Sequence, residues 1–459
     1  MEYKSTPYPF EELLSNIVDN RGKTCPVVAD GLPLIATNCV KNDTLYPVFE
    51  KVRYVDKNTY DTWFRGHPEP GDMIFVCKGA PGNICWTPDP VNFCIAQDMV
   101  AIRANRNIIV PKYLFALLRS SKTKAQILNM HVGTMIPHFK KGDFKNLHFD
   151  IPDDKGVQES IGDMYFRLTE KIELNRQTNE TLDQMAQALF KSWFVNFDPV
   201  IDNALEAGNT IPDELKERAA GRQQQLAKPD HQPLPDDIRQ LFPGEFELTD
   251  ELSWVPMGWN PGTLADIASF GKEKVHVSKL ILENYVSTEN MNAGKSGINT
   301  ASGIPKTGQV PSFAVGETLI SNIRPYFKKI WFASFGGGRS NDVLGFQAKN
   351  QAANEFLFNL LYRDTFFDYM TATAKGTKMP RGDKEAIMRW PSVIPPPKLM
   401  EEFSDIVKPS YLANNLRSAQ SRVLSETRDT LLPKLISGEL RLPSNALPDV
   451  EQQLDDATP

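Results

Sequence analysis

Two stretches of this chain of 459 residues repeat apolar positions with the spacing of helices that pack against other helices. In the first, residues 157–194, two heptad positions are occupied by Ile161, Leu168, Leu182 and Leu189, and by Tyr165, Ile172, Ala186 and Trp193. A narrow apolar stripe of this kind suits one helix lying against another. We therefore predict a long helix here, with Asn175 and Asn179 in the middle of its stripe.

The second stretch, residues 399–437, carries apolar residues at corresponding positions: Phe403, Val407, Leu424, Leu431 and Leu435. Gly438 follows as a stop signal. Pro409 is expected to kink or interrupt the helix because proline lacks an amide hydrogen. Two unrelated surface helices would also give such patterns. The parallel placement of the two stretches favours long helices paired with each other in antiparallel orientation.

A region of mixed strand and helix spacing precedes each long helix, and the two regions resemble each other. Four segments recur in the same order, at offsets of 243 to 245 residues: 70–75 with 315–320, 97–101 with 341–345, 113–118 with 355–361, and 133–137 with 376–380. Each region has an acidic turn feeding a strand, a helix, and a Gly-Thr-x-x-Pro loop. The sequence predicts an α+β protein with two similar mixed α/β domains, pseudo-twofold related and separated by the coiled-coil helices.

The remaining segments are polar. Residues 198–256 are rich in Pro, Asp and Gln and predict a linker with a short helix from Asp213 to Gln225. Residues 441–459 are acidic and predict a disordered tail. The expected organisation is thus a first domain at 1–152, a helical spacer at 153–197, the linker at 198–256, a second domain at 257–397, a second spacer at 398–440, and the tail at 441–459.

Charge is unevenly distributed along the chain, although the formal net charge is only -6. Residues 1–150 carry a net charge of +3 and residues 261–397 carry +5, whereas residues 195–260 carry -8. Two basic regions separated by an acidic one allow polyanion binding at two places. Random unevenness would give similar counts, so charge by itself leaves the partner open.

Cysteine usage and hydropathy predict a cytoplasmic protein. All the cysteines, Cys25, Cys39, Cys77, Cys85 and Cys94, lie in the first hundred residues and lack the pairing of a zinc site. We expect reduced thiols, as in the cytoplasm. No run of about 18 apolar residues could span a membrane, and the first residues lack the order of a secretion signal.

Motifs for catalysis are incomplete. Gly22-Lys23-Thr24 and Gly294-Lys295-Ser296 resemble the end of a phosphate-binding loop, but Ile17 and Glu289 stand where the earlier glycine is needed. Pro152-Asp153-Asp154-Lys155 would suit a metal-dependent nuclease, but Asp at a helix start is more often a cap. We expect neither a metal site nor catalysis from this chain.

Strings near the ends of the predicted helices carry a family resemblance. Leu431-Leu432-Pro433-Lys434-Leu435-Ile436-Ser437-Gly438-Glu439-Leu440 and its counterpart at 189–199 resemble the ends of the helical regions of type I restriction-modification specificity subunits. Pro256-Met257-Gly258-Trp259 resembles the opening of that family's second target recognition domain. Both Gly-Thr-x-x-Pro loops match as well, so the resemblance covers nearly the whole chain in order.

The resemblance implies a DNA-binding specificity subunit that is not itself an enzyme. Each target recognition domain would bind one half of a bipartite, asymmetric sequence in double-stranded DNA. The helices would act as a spacer and dock two modification (methyltransferase) subunits, which use S-adenosylmethionine. Restriction subunits, which are motor-nucleases, would use ATP and Mg²⁺. The helical residues expected to serve these roles are Ile161, Tyr165, Leu168, Ile172, Leu182, Leu189, Trp193, Phe403, Val407, Leu424, Leu431 and Leu435.

Candidate DNA contacts follow from the residue types that bind bases and phosphates. In the first domain they are Lys78, Thr134, His138, Lys140 and Lys141, and in the second they are Asn322, Arg324, Tyr326, Lys328, Lys329, Arg339, Lys378 and Arg381. A helix of about 38 residues would be roughly 57 Å long. That length would separate two half-sites lying about one duplex turn apart, roughly 35 Å.

Two alternatives from other classes stay open on the sequence alone. The chain could be an interaction scaffold that joins two partner proteins through its helices without touching DNA. It could also be a self-sufficient enzyme, which would turn over its substrate without partner subunits. Absence of sequence-preferred DNA binding by the assembled complex would favour the first alternative. Activity of the isolated chain would favour the second.

Overall fold

The computed structural model describes residues 3–20, 23–130, 137–250 and 252–441. They form two compact units, one of Met1–Gln177 with Arg417–Pro459 and one of Thr178–Leu416. Within the described ranges, none of the helices is both long enough and apolar enough to cross a bilayer. Thr134 and the tail beyond residue 441 lie outside these ranges.

The first unit opens with an α+β domain. Its elements are β1 (Ser5–Pro9), β2 (Leu14–Asp19), β3 (Leu32–Ile35), β4 (Arg53–Val55), α1 (Lys57–Thr62), β5 (Met73–Val76), β6 (Ile84–Trp86), β7 (Cys94–Ile95), β8 (Met99–Ala104), α2 (Pro111–Arg119), α3 (Ser121–Met130) and β9 (His148–Pro152), and the long helix α4 (Lys155–Phe194) follows. Antiparallel pairing orders the main sheet β2-β8-β5-β6, beside smaller sheets β4-β3-β7 and β1-β9. Phe75 and Phe115 lie in the core of this domain.

The second unit contains the end of α4 and the elements that follow it. These are α5 (Asp198–Ala207), α6 (Lys216–Leu226), α7 (Asp236–Arg239), β10 (Phe246–Thr249), β11 (Ser253–Pro256), β12 (Asn260–Thr263), α8 (Leu264–Ile267), β13 (Ala268–Phe270), β14 (Lys274–His276), β15 (Tyr285–Val286), β16 (Gln309–Phe313), β17 (Thr318–Ser321), β18 (Ile330–Phe332), β19 (Gly337–Arg339), β20 (Val343–Ala348), α9 (Asn354–Leu361), α10 (Asp364–Ala372), α11 (Lys384–Met388), β21 (Pro391–Ile394) and α12 (Pro397–Ile436), whose last part belongs to the first unit. Its sheets are ordered β13-β20-β17-β18, β14-β16-β19-β15, β12-β21 and β10-β11.

The two units repeat one architecture, as the sequence predicted. The sheet β13-β20-β17-β18 has the strand order of β2-β8-β5-β6, element for element. The acidic turn before the equivalent strands β5 and β17 is fixed in the same way in both units. Asp72 accepts two hydrogen bonds from Arg103, at 2.8 and 3.0 Å, and Glu317 accepts one from Gln347 at 2.8 Å. These buried carboxylates explain why the Gly-acid turn recurs.

The long helices run antiparallel to each other within each unit, which confirms the predicted pairing. In the first unit, Asn175 donates to Gln420 at 2.8 Å, and the Arg428 guanidinium lies over the ring of Tyr165 at 5.4 Å. In the second unit, Phe190 packs on Phe403 with 5.6 Å between ring centroids. Polar groups in the middle of such a pair favour one register over its alternatives.

Pro409 neither interrupts nor ends its helix, so the predicted interruption was wrong. The helix α12 runs unbroken from Pro397 to Ile436, and the proline lies on its exposed side. The carbonyl of Asp405, which loses its helical donor there, belongs to an exposed residue. The stop at Gly438 is confirmed, because this residue has a φ of 75° and donates to Leu435 at 3.2 Å.

The segment 198–256, predicted as a linker, is folded. It contains α5, α6, α7 and the hairpin β10-β11, and the predicted short helix is present as a turn at Asp213–Leu215 that continues into α6. Val200 and Phe242 are buried in the same core cluster as Trp193 and Trp259. Polar composition concealed this packing because a few large apolar residues supply the buried contacts.

The cysteines are free thiols and are buried, as expected of reduced residues. Cys85 lies in strand β6 of the first domain, and burial raises its pKa to about 12. A thiol with so high a pKa is protonated at neutral pH and is a poor nucleophile. These side chains therefore fill the core.

Candidate nucleic-acid interface

A short loop joins β5 to β6 in the first unit, and we call residues 77–83 the first hairpin loop. It is docked on the chain around Pro137 by backbone hydrogen bonds. The amide of Gly79 donates to the Pro137 carbonyl at 3.0 Å, and the amide of Phe139 donates to the Cys77 carbonyl at 2.8 Å. The amide of Cys77 donates to the Asp98 carbonyl at 2.9 Å. The loop is thereby fixed against the end of the first Gly-Thr-x-x-Pro segment.

The equivalent loop of the second unit, residues 322–329 between β17 and β18, is the second hairpin loop. It repeats those bonds. The amide of Arg324 donates to the Pro380 carbonyl at 2.8 Å, that of Gly382 to Asn322 at 3.1 Å, and that of Asn322 to Asp342 at 2.8 Å. Pro380 ends the second Gly-Thr-x-x-Pro loop, which forms a turn between the paired residues Lys375 and Arg381. Each unit thus presents a hairpin loop held against its Gly-Thr-x-x-Pro segment.

Left-handed backbone occurs at matching places in both loops. In the first loop the two residues are glycines, Gly79 at a φ of 89° and Gly82 at 85°. In the second loop the residues at the same distance from the flanking strands are Arg324 and Lys328, each at a φ of 50°. A side chain in this conformation costs about 1 kcal/mol, which glycine avoids. The second unit therefore bears strain to place two cations where the first has none.

Lys328 is part of an ion network that the sequence did not reveal. Its ammonium lies 2.7 Å from Asp364 Oδ1, and the ammonium of Lys295 lies 2.9 Å from the same atom. Lys328 and Lys295 hold the pKa of the Asp364 carboxyl below its usual value. Lys295 also lies over the Tyr362 ring at 4.5 Å. Gly294-Lys295-Ser296, which fails as a phosphate-binding loop, instead supports the second hairpin loop.

Several predicted contact residues lie at the surface around these loops. Arg324, Tyr326, Lys378 and Arg381 are exposed in the second unit, and Lys140 and Lys141 are exposed in the first. Lys78 and His138 are partly exposed and pair with each other as an isolated β-bridge. Lys329 is partly buried and donates to the Thr288 carbonyl at 2.6 Å. Thr134 lies outside the described residues.

Two of the residues predicted to contact DNA, Asn322 and Arg339, are buried in the structure. Asn322 sits at the base of the second hairpin loop with 7% of its surface exposed. Arg339, in the interior strand β19, is 6% exposed and donates to the carbonyls of Val343 and Gly271 at 2.6 and 3.0 Å. Both residues support the fold beneath the surface, since their polar groups have been taken out of solvent.

Acidic side chains lie close to two of the exposed cations and partly neutralise their charge. Arg381 lies 3.3 Å from Asp342, and Lys141 lies 3.4 Å from Asp19. Exposed pairs of this kind contribute little stability. Across 3–20, 23–130, 137–250 and 252–441, no group of three or more His, Cys, Asp or Glu side chains is placed to hold a metal ion. The arrangement suits electrostatic and hydrogen-bonded contact with a polyanion.

The predicted stripe residues of the long helices pack inside the protein. Ile161, Tyr165, Trp193, Phe403, Val407, Leu424 and Leu435 are buried, and Leu168, Ile172, Leu182, Leu189 and Leu431 are partly buried. They are covered by residues of this same chain. A partner protein would meet other faces of these helices.

Comparison with known proteins finds similarity to one group of proteins. Residues 31–184 match the model of the type I restriction modification DNA specificity domain. The specificity subunit of the type I restriction enzyme HindI from Haemophilus influenzae is 26% identical over 415 residues, covering 81% of this chain and 86% of that protein. The MjaIX specificity subunit of Methanocaldococcus jannaschii is 24% identical over 364 residues, covering 73% and 72%.

A solved structure shows the same fold. The S subunit of a type I restriction-modification system from M. genitalium aligns over 94% of this chain and 96% of its own, with a TM-score of 0.53 and 13% identity. The sequence relatives cover most of the chain, and the resemblance at the helix ends and the repeated loops agrees with them. The chain is therefore similar, over most of its length, to type I restriction-modification specificity subunits.

Proposed function

We propose that this subunit binds double-stranded DNA and selects the sequence on which a type I restriction-modification complex acts. Each unit would recognise one half of a bipartite, asymmetric target. The proposal rests on one repeated feature. In both units, equivalent backbone hydrogen bonds fix a hairpin loop to a Gly-Thr-x-x-Pro segment. Exposed cations surround it in each unit. Different side chains on one repeated backbone suit two different half-sites.

In this proposal the target recognition domains are residues 1–152 and 257–397, and the helical spacers are 153–197 and 398–440. The helix α4 has 40 residues, a length of about 60 Å. The predicted spacer function relies on this length. The residues of the apolar stripes would hold the helix pair together, and so they would fix the spacing without touching a partner.

We further propose that two modification subunits dock on the outer faces of the long helices. Large apolar side chains are exposed there: Leu174 and Val423 in the first unit, and Met185, Leu412 and Leu416 in the second. Exposed apolar residues on one face are typical of a protein contact. These methyltransferase subunits would use S-adenosylmethionine, and restriction subunits joining the same complex would use ATP and Mg²⁺.

Mapping of methylated adenines tests the recognition proposal. The subunit is co-expressed with its methyltransferase, and genomic methyladenine is located by sequencing. We expect a motif of two specified parts separated by a gap of unspecified bases. A continuous motif would contradict recognition by two domains. Absence of any sequence preference would favour the alternative of a scaffold that does not bind DNA.

Lengthening the helices tests the spacer. Insertion of four residues, about one helical turn, into the middle of α4 together with four at the facing part of α12 should lengthen the unspecified gap. Both half-sites should stay the same, because neither target recognition domain is altered. A matched control inserts four residues into the exposed segment after α6, and it should leave the gap unchanged. A gap that is unchanged in the helix variant would contradict the spacer role.

A further inference from the structure

The second hairpin loop exposes two aromatic side chains next to each other. Tyr326 has 49% of its surface exposed and Phe327 has 39%, with 4.8 Å between the ring centroids. Single exposed aromatic side chains are ordinary on protein surfaces. Two in contact at the tip of a loop form an apolar patch, and the fold gains only part of the free energy that burying both rings would give. The corresponding positions of the first hairpin loop carry no aromatic side chain, since its tip reads Gly79-Ala80-Pro81-Gly82.

The backbone beneath the aromatic pair is firmly held. The amide of Phe327 donates to the Arg324 carbonyl at 2.9 Å, and its own carbonyl accepts from Gly294 at 2.8 Å. The Lys328 carbonyl accepts from Lys295 at 2.8 Å. Arg324 and Lys328, the two residues in left-handed conformation, bracket the pair. The aromatic rings therefore project from a preorganised turn. Ordering this turn on binding would cost little conformational entropy.

The charge around the pair indicates what it would meet. Arg324, Lys378 and Arg381 are exposed near the tip, and residues 261–397 carry a net charge of +5. Cations flanking a pair of aromatic faces match a strand of nucleic acid, in which phosphates flank stacked bases. Proteins that press apolar side chains into a base step unstack it and kink the duplex. An apolar protein partner would gain nothing from the flanking cations.

We propose that Tyr326 and Phe327 form an aromatic wedge that enters one base step of the second half-site and unstacks it. The wedge rests on the proposed DNA recognition and adds a mechanism to it. The second half-site is then selected partly by how easily its bases separate, a property that differs among base steps. The first half-site, which faces the small first hairpin loop, is bound without such unstacking.

Fluorescence of 2-aminopurine reports the unstacking directly. The complex with the methyltransferase binds duplexes that carry the sequence recovered from genomic methylation, with 2-aminopurine placed at successive positions of each half-site. The adenines that become methylated are left unlabelled, because methyltransferases flip their target base. We expect a several-fold rise at one step of the second half-site, absent from the first, and lost in the double variant Tyr326→Ala/Phe327→Ala.

A rescue experiment separates a wedge from a loop that is merely damaged. The double variant should bind the intact target about tenfold more weakly, as expected for loss of base stacking. A duplex with a mismatch at the affected step is already unstacked, and it should restore binding to within about twofold of the original protein. Arg324→Ala should not be rescued by that mismatch. Leu248→Ala, at another exposed apolar position of the same unit (66% exposed), should behave as the original protein.

The possible outcomes test the aromatic wedge separately from the proposed DNA recognition. A complex that binds its target selectively but raises no signal at any step of the second half-site overturns the wedge and leaves the recognition proposal intact. Failure of the mismatch to rescue the double variant also overturns the wedge. A complex without sequence preference overturns both proposals.

Discussion

The two hairpin loops share a backbone and differ in almost every exposed side chain. Both are tied to the neighbouring segment by equivalent amide-to-carbonyl bonds, and both adopt left-handed conformation at the same two places. In the first loop those places are Gly79 and Gly82, and in the second they are Arg324 and Lys328. Backbone bonds therefore preserve the loop, while its side chains are free to differ between the two units.

The difference also shows the energetic conflict between fold and function. A glycine in left-handed conformation is unstrained, whereas arginine or lysine there costs about 1 kcal/mol. Strain that persists in an otherwise regular fold tends to lie at functional sites. The DNA contact proposed for the second hairpin loop would therefore come at the expense of local stability.

The largest expected effect is on DNA binding by the second unit. We expect Arg324→Ala combined with Arg381→Ala to weaken binding by about 3 kcal/mol, roughly a hundredfold, because each cation contributes a contact to DNA. Titration of the complex with duplexes that differ at single bases measures this. Equal loss on all sequences would identify phosphate contacts, and relaxed preference at one base would identify base recognition. Lys228→Ala, at an exposed site in the acidic segment, is the control, and unchanged binding by the double variant would contradict the assignment.

An intermediate effect is expected from side chains added to the first loop. An added Cβ at Gly82 would lie 3.1 Å from Ile127 Cδ1, whereas one at Gly79 would meet nothing within 4 Å. Gly82→Ala should therefore lower the free energy of unfolding by about 2 kcal/mol, and Gly79→Ala by about 1 kcal/mol. Denaturant titration of the complex measures both. Equal destabilisation by the two variants would show that the contact with Ile127 has no effect.

The smallest effect isolates the strain itself. Arg324→Gly and Arg324→Ala both remove the guanidinium, so we expect equal losses of DNA affinity. The glycine variant alone relieves the left-handed strain, and its free energy of unfolding should exceed that of the alanine variant by about 1 kcal/mol. Denaturant titration compares the pair, and each protein serves as the control for the other. If the glycine variant is no more stable than the alanine variant, the left-handed conformation at position 324 is not strained, and strain does not distinguish the two loops.

Much of the fold could be predicted from the sequence, because apolar spacing and repetition record it directly. The heptad stripes placed α4 and α12 to within about two residues at each end. The four repeated segments located β5 and β17 and the helices that follow them. Pro409 was misjudged because its effect depends on which side of the helix is exposed. The folding of residues 198–256 depends on a few long-range contacts, such as that of Phe242 with Trp193, which composition does not register.

The candidate site was less accessible to prediction, since it depends on burial and backbone conformation. Arg339 looked like its exposed neighbours in sequence, and only the pairing of β19 with the adjacent strands buries it. Phe327 and Asp364 escaped notice because neither residue type suggests DNA contact by itself. A partial signal existed for Phe327, which follows Arg-Pro-Tyr and precedes two lysines. The equivalence of Lys328 with Gly82 was hidden by the extra residue in the second hairpin loop, which lies between Arg324 and Lys328.

The open space beside Gly79 and the crowded space beside Gly82 make the two positions unequal as starting points for evolution. A lineage could acquire a new side chain at position 79 in one mutational step, at the expense of a little stability. The same change at position 82 would crowd Ile127 and would cost more stability. Under the proposed function, diversification of target choice in the first domain would therefore begin at Gly79.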